Sequence, residues 1–442
     1  MTHRAATTRN GTPRLLRTAL LTAPLALLVG FALSLPAMAK EEPAPLPPPQ
    51  KAAETPHEAS DGQVIKSYAT EGNFPPRAVD LVVCLDTSGS MDGLIDSTRQ
   101  KLWRIVNDLA LAKPTPALRV SLVSYGNDKN AEVDGWVRVE TPLTTDLDTV
   151  SAKLFALSTD GGTELVGRAV DTALTKLEWS TDSNALKMVV IAGNESADQD
   201  TEVSFRDACK RSIESDVVVN AIYCQRNEDA SIEAGWAEVA RAADGHFARI
   251  DADEGTVVID TPFDAQLADL STALNGTYVP LGELGRVGCS NQWAQDGNAQ
   301  RMNGSNVAER ALSKRSKLYV CDWDLVTAWT DDKVKLADVK KEDLPEALRE
   351  LSVVELEAHL KSKLAEREKL QARMGELGTK RQAFIDAKLA GESLDESDAF
   401  DHVVRRAIRA QARAKGFRFP GDSVATVHVP GGTDHSTNRR AE

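Results

Sequence analysis

The sequence predicts an α/β fold, a doubly wound, mostly parallel sheet, followed by a mainly α-helical carboxyl-terminal region. Three observations carry this. Between about residues 77 and 260, short apolar, β-branched runs alternate with stretches of helical periodicity. The runs Val79–Leu85 and Leu186–Ala192 are nearly continuous in their apolar character, as strands buried on both faces are. Beyond residue 330 the apolar residues recur mostly at three- and four-residue steps instead.

The elements follow in order. After the first strand, Ile95, Leu102, Ile105 and Leu109 fall at helical spacing. Arg119 to Tyr125 reads as a strand closed by Gly126-Asn127-Asp128, and the more polar run Trp136 to Glu140 as an edge strand. A helix is predicted from about Asp146 to Leu157, and Gly161-Gly162-Thr163-Glu164 opens another that runs through Leu177. Val217 to Tyr223 is a third apolar strand, Ile232 to Ala243 a helix, and His246 to Ile250 the last short strand. Phe263 to Leu274 and Val307 to Tyr319 read as helices flanking a Gly/Asn-rich segment.

Ser352-Val353-Val354-Glu355 is a capping box, so a long helix starts there. Leu356, Leu360, Leu370, Met374, Leu377, Phe384 and Leu389 form its apolar stripe, interrupted by Lys363, Arg367 and Arg381. Such a stripe suits a helical hairpin or coiled coil, with a second helix, Ala399 to Ala414, packing back on it. The resulting division is 1–39 signal, 40–76 linker, 77–260 sheet domain, 261–330 mixed extension, 331–416 helical region and 417–442 tail.

Residues 1–39 carry Arg4, Arg9, Arg14 and Arg17, an apolar stretch broken by Pro24 and Gly30, and Ala37-Met38-Ala39. That is the layout of a cleaved secretory signal. The protein is therefore expected to be exported, periplasmic or secreted, with no membrane span after cleavage. The Pro/Ala/Glu-rich residues 40–76 read as a disordered spacer. The formal charge is −14 although the signal is basic, which argues against a nucleic-acid partner. Of the five cysteines, Cys84 lies within a strand; Cys209, Cys224, Cys289 and Cys321 allow three connectivities. Chain order favours Cys209–Cys224 and Cys289–Cys321, with free thiols the alternative.

Asp86-Thr87-Ser88-Gly89-Ser90-Met91 follows the first strand directly. It brings one carboxylate and two hydroxyls, at alternate positions, to the turn that opens a helix. Oxygen-only ligands suit a hard cation, Mg²⁺ or else Mn²⁺ or Ca²⁺. This D-x-S-x-S pattern resembles the first motif of the von Willebrand factor type A (VWA) domain, and the resemblance extends over about 180 residues. It implies a metal site whose open position binds a partner's carboxylate. Thr163 matches the threonine of the second motif; read alone, it is a helix N-cap.

At the third motif the family usually has an Asp in a Thr-Asp-Gly turn after the fourth strand. Here the strand runs into Ala192-Gly193-Asn194-Glu195-Ser196, and Asn194 takes that place. An amide for a carboxylate removes one negative charge. The cation is then expected to be held less tightly and to pull harder on an incoming acid, with Glu195, Asp198 or Asp200 restoring charge through water. The metal set is thus Asp86, Ser88, Ser90, Thr163 and Asn194. The runs Thr261–Asp264, Asn275–Tyr278 and Trp323–Val326 resemble an arrangement found behind VWA domains in exported bacterial proteins, which implies a two-part architecture but no activity.

The expected function is an extracytoplasmic protein-binding module that captures an Asp or Glu of a partner protein. The carboxyl-terminal helices offer a route to homo-oligomers. The alternative is a metal-independent structural or scaffolding protein of the envelope. Catalysis finds little support: the seven histidines are scattered, and there is no G-x-S-x-G, H-E-x-x-H or phosphate-binding glycine loop. The expectation is a protein that is not an enzyme, and the tryptophans are assigned to core and interface packing.

Overall fold

Along β1 (Ala78–Asp86), Val79, Leu81 and Leu85 enter one apolar cluster and Val82 and Cys84 another, so this strand is buried on both faces. The computed structural model describes residues 77–225, 229–251, 258–392 and 400–422. The predicted signal, the spacer and residues 423–442 lie outside the described residues.

Among the described residues, six strands form one sheet in the order β3-β2-β1-β4-β5-β6. The others are β2 (Ala117–Tyr125), β3 (Arg138–Thr144), β4 (Leu186–Gly193), β5 (Val218–Gln225) and β6 (Phe247–Asp251). All neighbours are parallel except β3, the edge strand, which runs antiparallel to β2. β3 starts two residues later than Trp136, because Gly135 and Trp136 both take positive φ (66° and 54°) and turn the chain first. One face is covered by α1 (Asp92–Leu109) and α2 (Leu147–Ala156); the other by α3 (Val166–Lys176), α4 (Phe205–Glu214) and α5 (Ala230–Ala242).

The face with α1 is completed from far along the chain. Helix α11 (Phe400–Ala414) packs against α1, and its Val403, Val404, Ile408 and Ala412 join the same cluster as β1 and β4. The sequence expectation that this helix folds back on the long helix is corrected: its strongly amphipathic face finds a larger apolar surface on the sheet domain. Phe417 and Phe419 are also seated in that core, and Arg418 pairs with Lys113, so the first residues of the predicted tail are ordered.

The Gly/Asn-rich segment, to which the sequence assigned no element, is α7 (Gly282–Met302), a 21-residue helix. Its glycines allow close approach: a Cβ on Gly285 would stand 2.7 Å from the Pro280 carbonyl carbon. This helix packs against α2 and α8 (Gly304–Arg315), while α6 (Asp264–Asn275), α8 and α9 (Leu325–Thr330) form the bed for α10 (Val353–Glu392). The capping box is present: the backbone N–H of Glu355 donates to Ser352 Oγ, and Ser352 N donates to the Glu355 carboxylate at 2.8 Å.

Most of the α10 stripe is consumed within the chain, though Phe384 stays 38% exposed. Leu356 and Leu360 pack with Leu325, Val326 and Leu348; Met374 and Leu377 pack with Leu267, Leu274 and Ala311. Two of the residues that break the stripe are buried ion-pair donors. Arg367 holds Asp324 at 2.8 Å, and Arg381 holds Asp264 at 2.8 Å and Glu309 at 2.6 Å. The runs around Asp264, Thr277 and Asp324 supply these partners, with Thr277 accepting from Arg367 through its Oγ1 and its carbonyl. Lys363 pairs with Glu366 instead.

A second buried network joins the helices to the sheet domain. Arg310 bonds Asp148 of α2 and Asp296 of α7 and lies over the Trp103 ring, 4.7 Å from its centroid. Lys314 donates to Ser271, Asn275 and Asp296, so all three of its protons are used.

All five cysteines are free thiols, which corrects the two favoured pairings. Cys84 and Cys224 lie on central strands, where burial pushes the pKa of both thiols up. Trp103 and Trp236 are core residues, but Trp293 is 56% exposed, against the packing expected of it. Among the described residues no helix is long and apolar enough to cross a membrane.

Candidate metal centre

The order β2-β1-β4-β5 makes the crevice beyond the carboxyl ends of β1 and β4 the point where the sheet's winding reverses. Asp86 ends β1 and Gly193 ends β4, so the first and third motifs meet there. The loop after β1 is stitched to its neighbours by backbone bonds: Thr87 N to the Tyr125 carbonyl at 2.8 Å, Gly89 N to the Gly161 carbonyl at 3.1 Å, and Asp160 N to the Thr87 carbonyl at 3.0 Å. Asn127 Nδ2 adds bonds to the carbonyls of Thr87 and Ser158. Behind the crevice, Tyr125 donates from its hydroxyl to the Ala192 carbonyl at 2.9 Å.

Four predicted site residues form one hydrogen-bonded group. Asp86 Oδ1 accepts from Ser88 N at 2.8 Å, Ser88 Oγ and Ser90 Oγ lie 3.2 Å apart, and Asn194 Nδ2 donates to Ser90 Oγ at 2.9 Å. Asp86 and Ser88 are buried; Ser90 and Asn194 are half-buried at the rim. Thr163, also half-buried, stands in the adjoining loop between Gly161 and Glu164. Its side chain makes no hydrogen bond among the described residues. It is not the N-cap of α3 either, since that helix starts at Val166 behind Leu165.

The residue that sequence reasoning missed is Glu164, which it placed on a helix. Glu164 is 3% exposed, and a Cβ on Gly126 would stand 3.0 Å from its Cγ and 2.9 Å from Asp86 Oδ1, so the two carboxyl groups are buried neighbours. Burial, then the charge of Asp86, pushes its pKa up to about 10. Asp86 is raised too, first by burial. Two neighbouring buried carboxyls resist ionising together, and a cation between them would relieve both. The only advance signal was adjacency to Thr163.

The other acids proposed to restore charge are engaged elsewhere or stand outside. Asp200 accepts from the backbone of Glu202 and Val203 and from Arg168, and these bonds lower its pKa despite the opposing effect of burial. Asp198 pairs with Arg206 at 2.6 Å. Glu195 is exposed, and its carbonyl accepts from Trp236 Nε1.

The donor set fits a hard cation. Asp86 Oδ2 and Asn194 Oδ1 are buried side-chain oxygens with no hydrogen-bond partner, and both belong to this one group. Unpaired buried acceptors are costly, and a cation with oxygen preference satisfies them. Among the described residues no three His, Cys, Asp or Glu gather as a metal site, so this mixed hydroxyl, amide and carboxylate set is the candidate.

Residues 80–258 match the family model described as the von Willebrand factor type A domain, and this segment is a VWA domain. Solved structures match the same part of the chain. Proximal thread matrix protein 1 from the mussel byssus, solved with a zinc-occupied MIDAS motif, is 12% identical over 40% of this chain and 43% of its own, with a TM-score of 0.33. A von Willebrand factor type A structure from Catenulispora acidiphila is 19% identical over 40% and 39%, with a TM-score of 0.31. The pilus adhesin SpaC from Lactobacillus rhamnosus GG is 15% identical over 40% and 28%, with a TM-score of 0.33. The chain thus spans less than half the length of each of these three. No curated protein matches it.

Proposed function

We propose that the protein is an extracytoplasmic binding module that holds a divalent cation at the β1/β4 crevice and uses it to capture an acidic side chain of a partner protein. Asp86, Ser88, Ser90 and Asn194 would hold the cation, with Thr163 contributing from the neighbouring loop. Mg²⁺ fits the donor set, as do Mn²⁺ and Ca²⁺. Bound there, it would offer a Lewis-acidic point to an Asp or Glu carboxylate. The observation that carries this reading is the pair of orphaned oxygens, Asp86 Oδ2 and Asn194 Oδ1, at the ends of adjacent central strands. The amino-terminal signal pattern supports an exported protein. The role assigned is binding rather than catalysis, with Ser88 Oγ and Ser90 Oγ, 3.2 Å apart, serving as ligands of the cation.

The test is capture of native envelope partners on the immobilised chain, with and without chelator. The reading expects a partner that is lost on chelation and lost with Asp86→Ala. The second reading is a metal-independent scaffold, favoured by the burial of Asp86 and Glu164 side by side, since a protonated pair would need no cation. Capture that survives both chelator and Asp86→Ala would favour the scaffold.

A further inference from the structure

The sequence suggested a cation site one charge short, because an amide stands where a carboxylate was expected. The side chains around Asp86 argue otherwise. Gly126, with φ +77°, leaves an open side into which two acids project: a Cβ there would lie 2.9 Å from Asp86 Oδ1 and 3.0 Å from Glu164 Cγ. The backbone of Glu164 is fixed by a bond from its N–H to Gln199 Oε1 at 3.2 Å, which holds the loop so that the side chain turns inward. The same Cβ on Gly126 would lie 3.6 Å from Ser88 Cβ, so Glu164 borders two members of the proposed cation set. Asp86 is 0% exposed, yet its Oδ2 has no donor. No cationic side chain is paired with Glu164 among the described residues, whereas Asp198 and Asp200 are both neutralised by arginines. An inward, unpaired carboxyl group at 3% exposure needs a positive charge or a proton to be there at all.

We propose that Glu164 is itself a ligand of the cation, supplying from the loop before α3 the carboxylate that Asn194 does not supply at the end of β4. This rests on the cation reading above and changes its electrostatics. Asp86 and Glu164 together balance a divalent ion, so the site is neither weakly held nor strongly electrophilic. A partner's acid is then drawn less by bare charge than by the open coordination position and the hydroxyl rim of Ser90 and Thr163.

The experiment is titration of Mn²⁺ into the full chain, read by the free-ion paramagnetic resonance signal and by calorimetry. Wild type, Glu164→Gln, Asn194→Asp and the double variant Glu164→Gln/Asn194→Asp would be compared. One site is expected in wild type, weakened by Glu164→Gln about 10- to 100-fold or more, since loss of an outer-shell partner alone costs that range. The double variant returns the second carboxylate from the other strand and is expected to recover most of that loss. Where Glu164→Gln does not fold, Glu164→Asp replaces it, and the retracted carboxylate is again expected to bind Mn²⁺ less tightly than wild type. Wild-type affinity in the Glu164 variants would overturn the proposal and leave the cation reading standing. No Mn²⁺ binding by wild type would overturn both.

Discussion

Asn194 Nδ2 donates to Ser90 Oγ across 2.9 Å, tying the end of β4 to the loop that follows β1. This one bond brings together residues separated by 104 positions and turns Asn194 Oδ1 inward, where nothing donates to it. Asn194→Ala removes both the tie and the acceptor. Cation affinity is expected to fall about tenfold, as when one neutral oxygen donor of a metal site is lost. The melting temperature is expected to change little, because a rim hydrogen bond contributes about 0.5–1.5 kcal/mol. Calorimetric titration alongside a thermal melt separates the two effects.

Gly126→Ala should damage the same site from behind. A side chain at φ +77° is strained, and its Cβ would press on Asp86 Oδ1 at 2.9 Å. A loss of about 2 kcal/mol is expected in urea unfolding, from the backbone strain and the overpacking together. Cation affinity should fall with it, which a solely structural glycine would not require.

Helix α11 is a part of the sheet domain's core. Ile408, 1% exposed, packs with α1 and the central strands. Ile408→Ala is expected to cost about 2–5 kcal/mol. Protection of the β1 and β4 amides from hydrogen exchange should fall in step. Unchanged protection of those strands would mean that α11 is not part of this core.

The junction between helices and sheet domain should loosen in acid. Asp296 lies among Arg310 and Lys314, whose charges, against the opposing effect of burial, hold its pKa below the usual 3.8. A carboxylate with a depressed folded-state pKa contributes stability above its unfolded value, and this is lost as pH falls through the folded one. Asp296→Asn leaves two buried cations short of a partner and is expected to cost about 3–5 kcal/mol at neutral pH. Melts of both proteins from neutral pH to well below pH 3.8 should show the difference narrowing only at the acid end.

The fold was legible because its signals are local and redundant. β1, β2, β4 and β5 are apolar runs that no helix could use as well, and the capping box at Ser352 fixes the start of α10 within its own four residues. What misled were features whose meaning lies in distant partners. The glycines of α7 hid the helix they belong to, yet they admit neighbours at close range. Arg367 and Arg381 read as defects in a stripe, yet each fills a buried socket built around Asp324 or Asp264. The α11 stripe says that the helix must bury a face but not against what. At the site, Asp86, Ser88 and Ser90 were legible by spacing and Asn194 by its place after β4. Glu164 was not, because its inward turn depends on where the loop before α3 ends, and Thr163 had already been read as opening that helix.

The central claim is that the β1/β4 crevice binds a divalent cation through Asp86. Its most direct test is calorimetric titration of Mg²⁺ into the metal-stripped full chain and into Asp86→Ala. The account predicts saturable heat with one site in the wild type and none in the variant. Absence of binding in both, or equal binding in both, would contradict it.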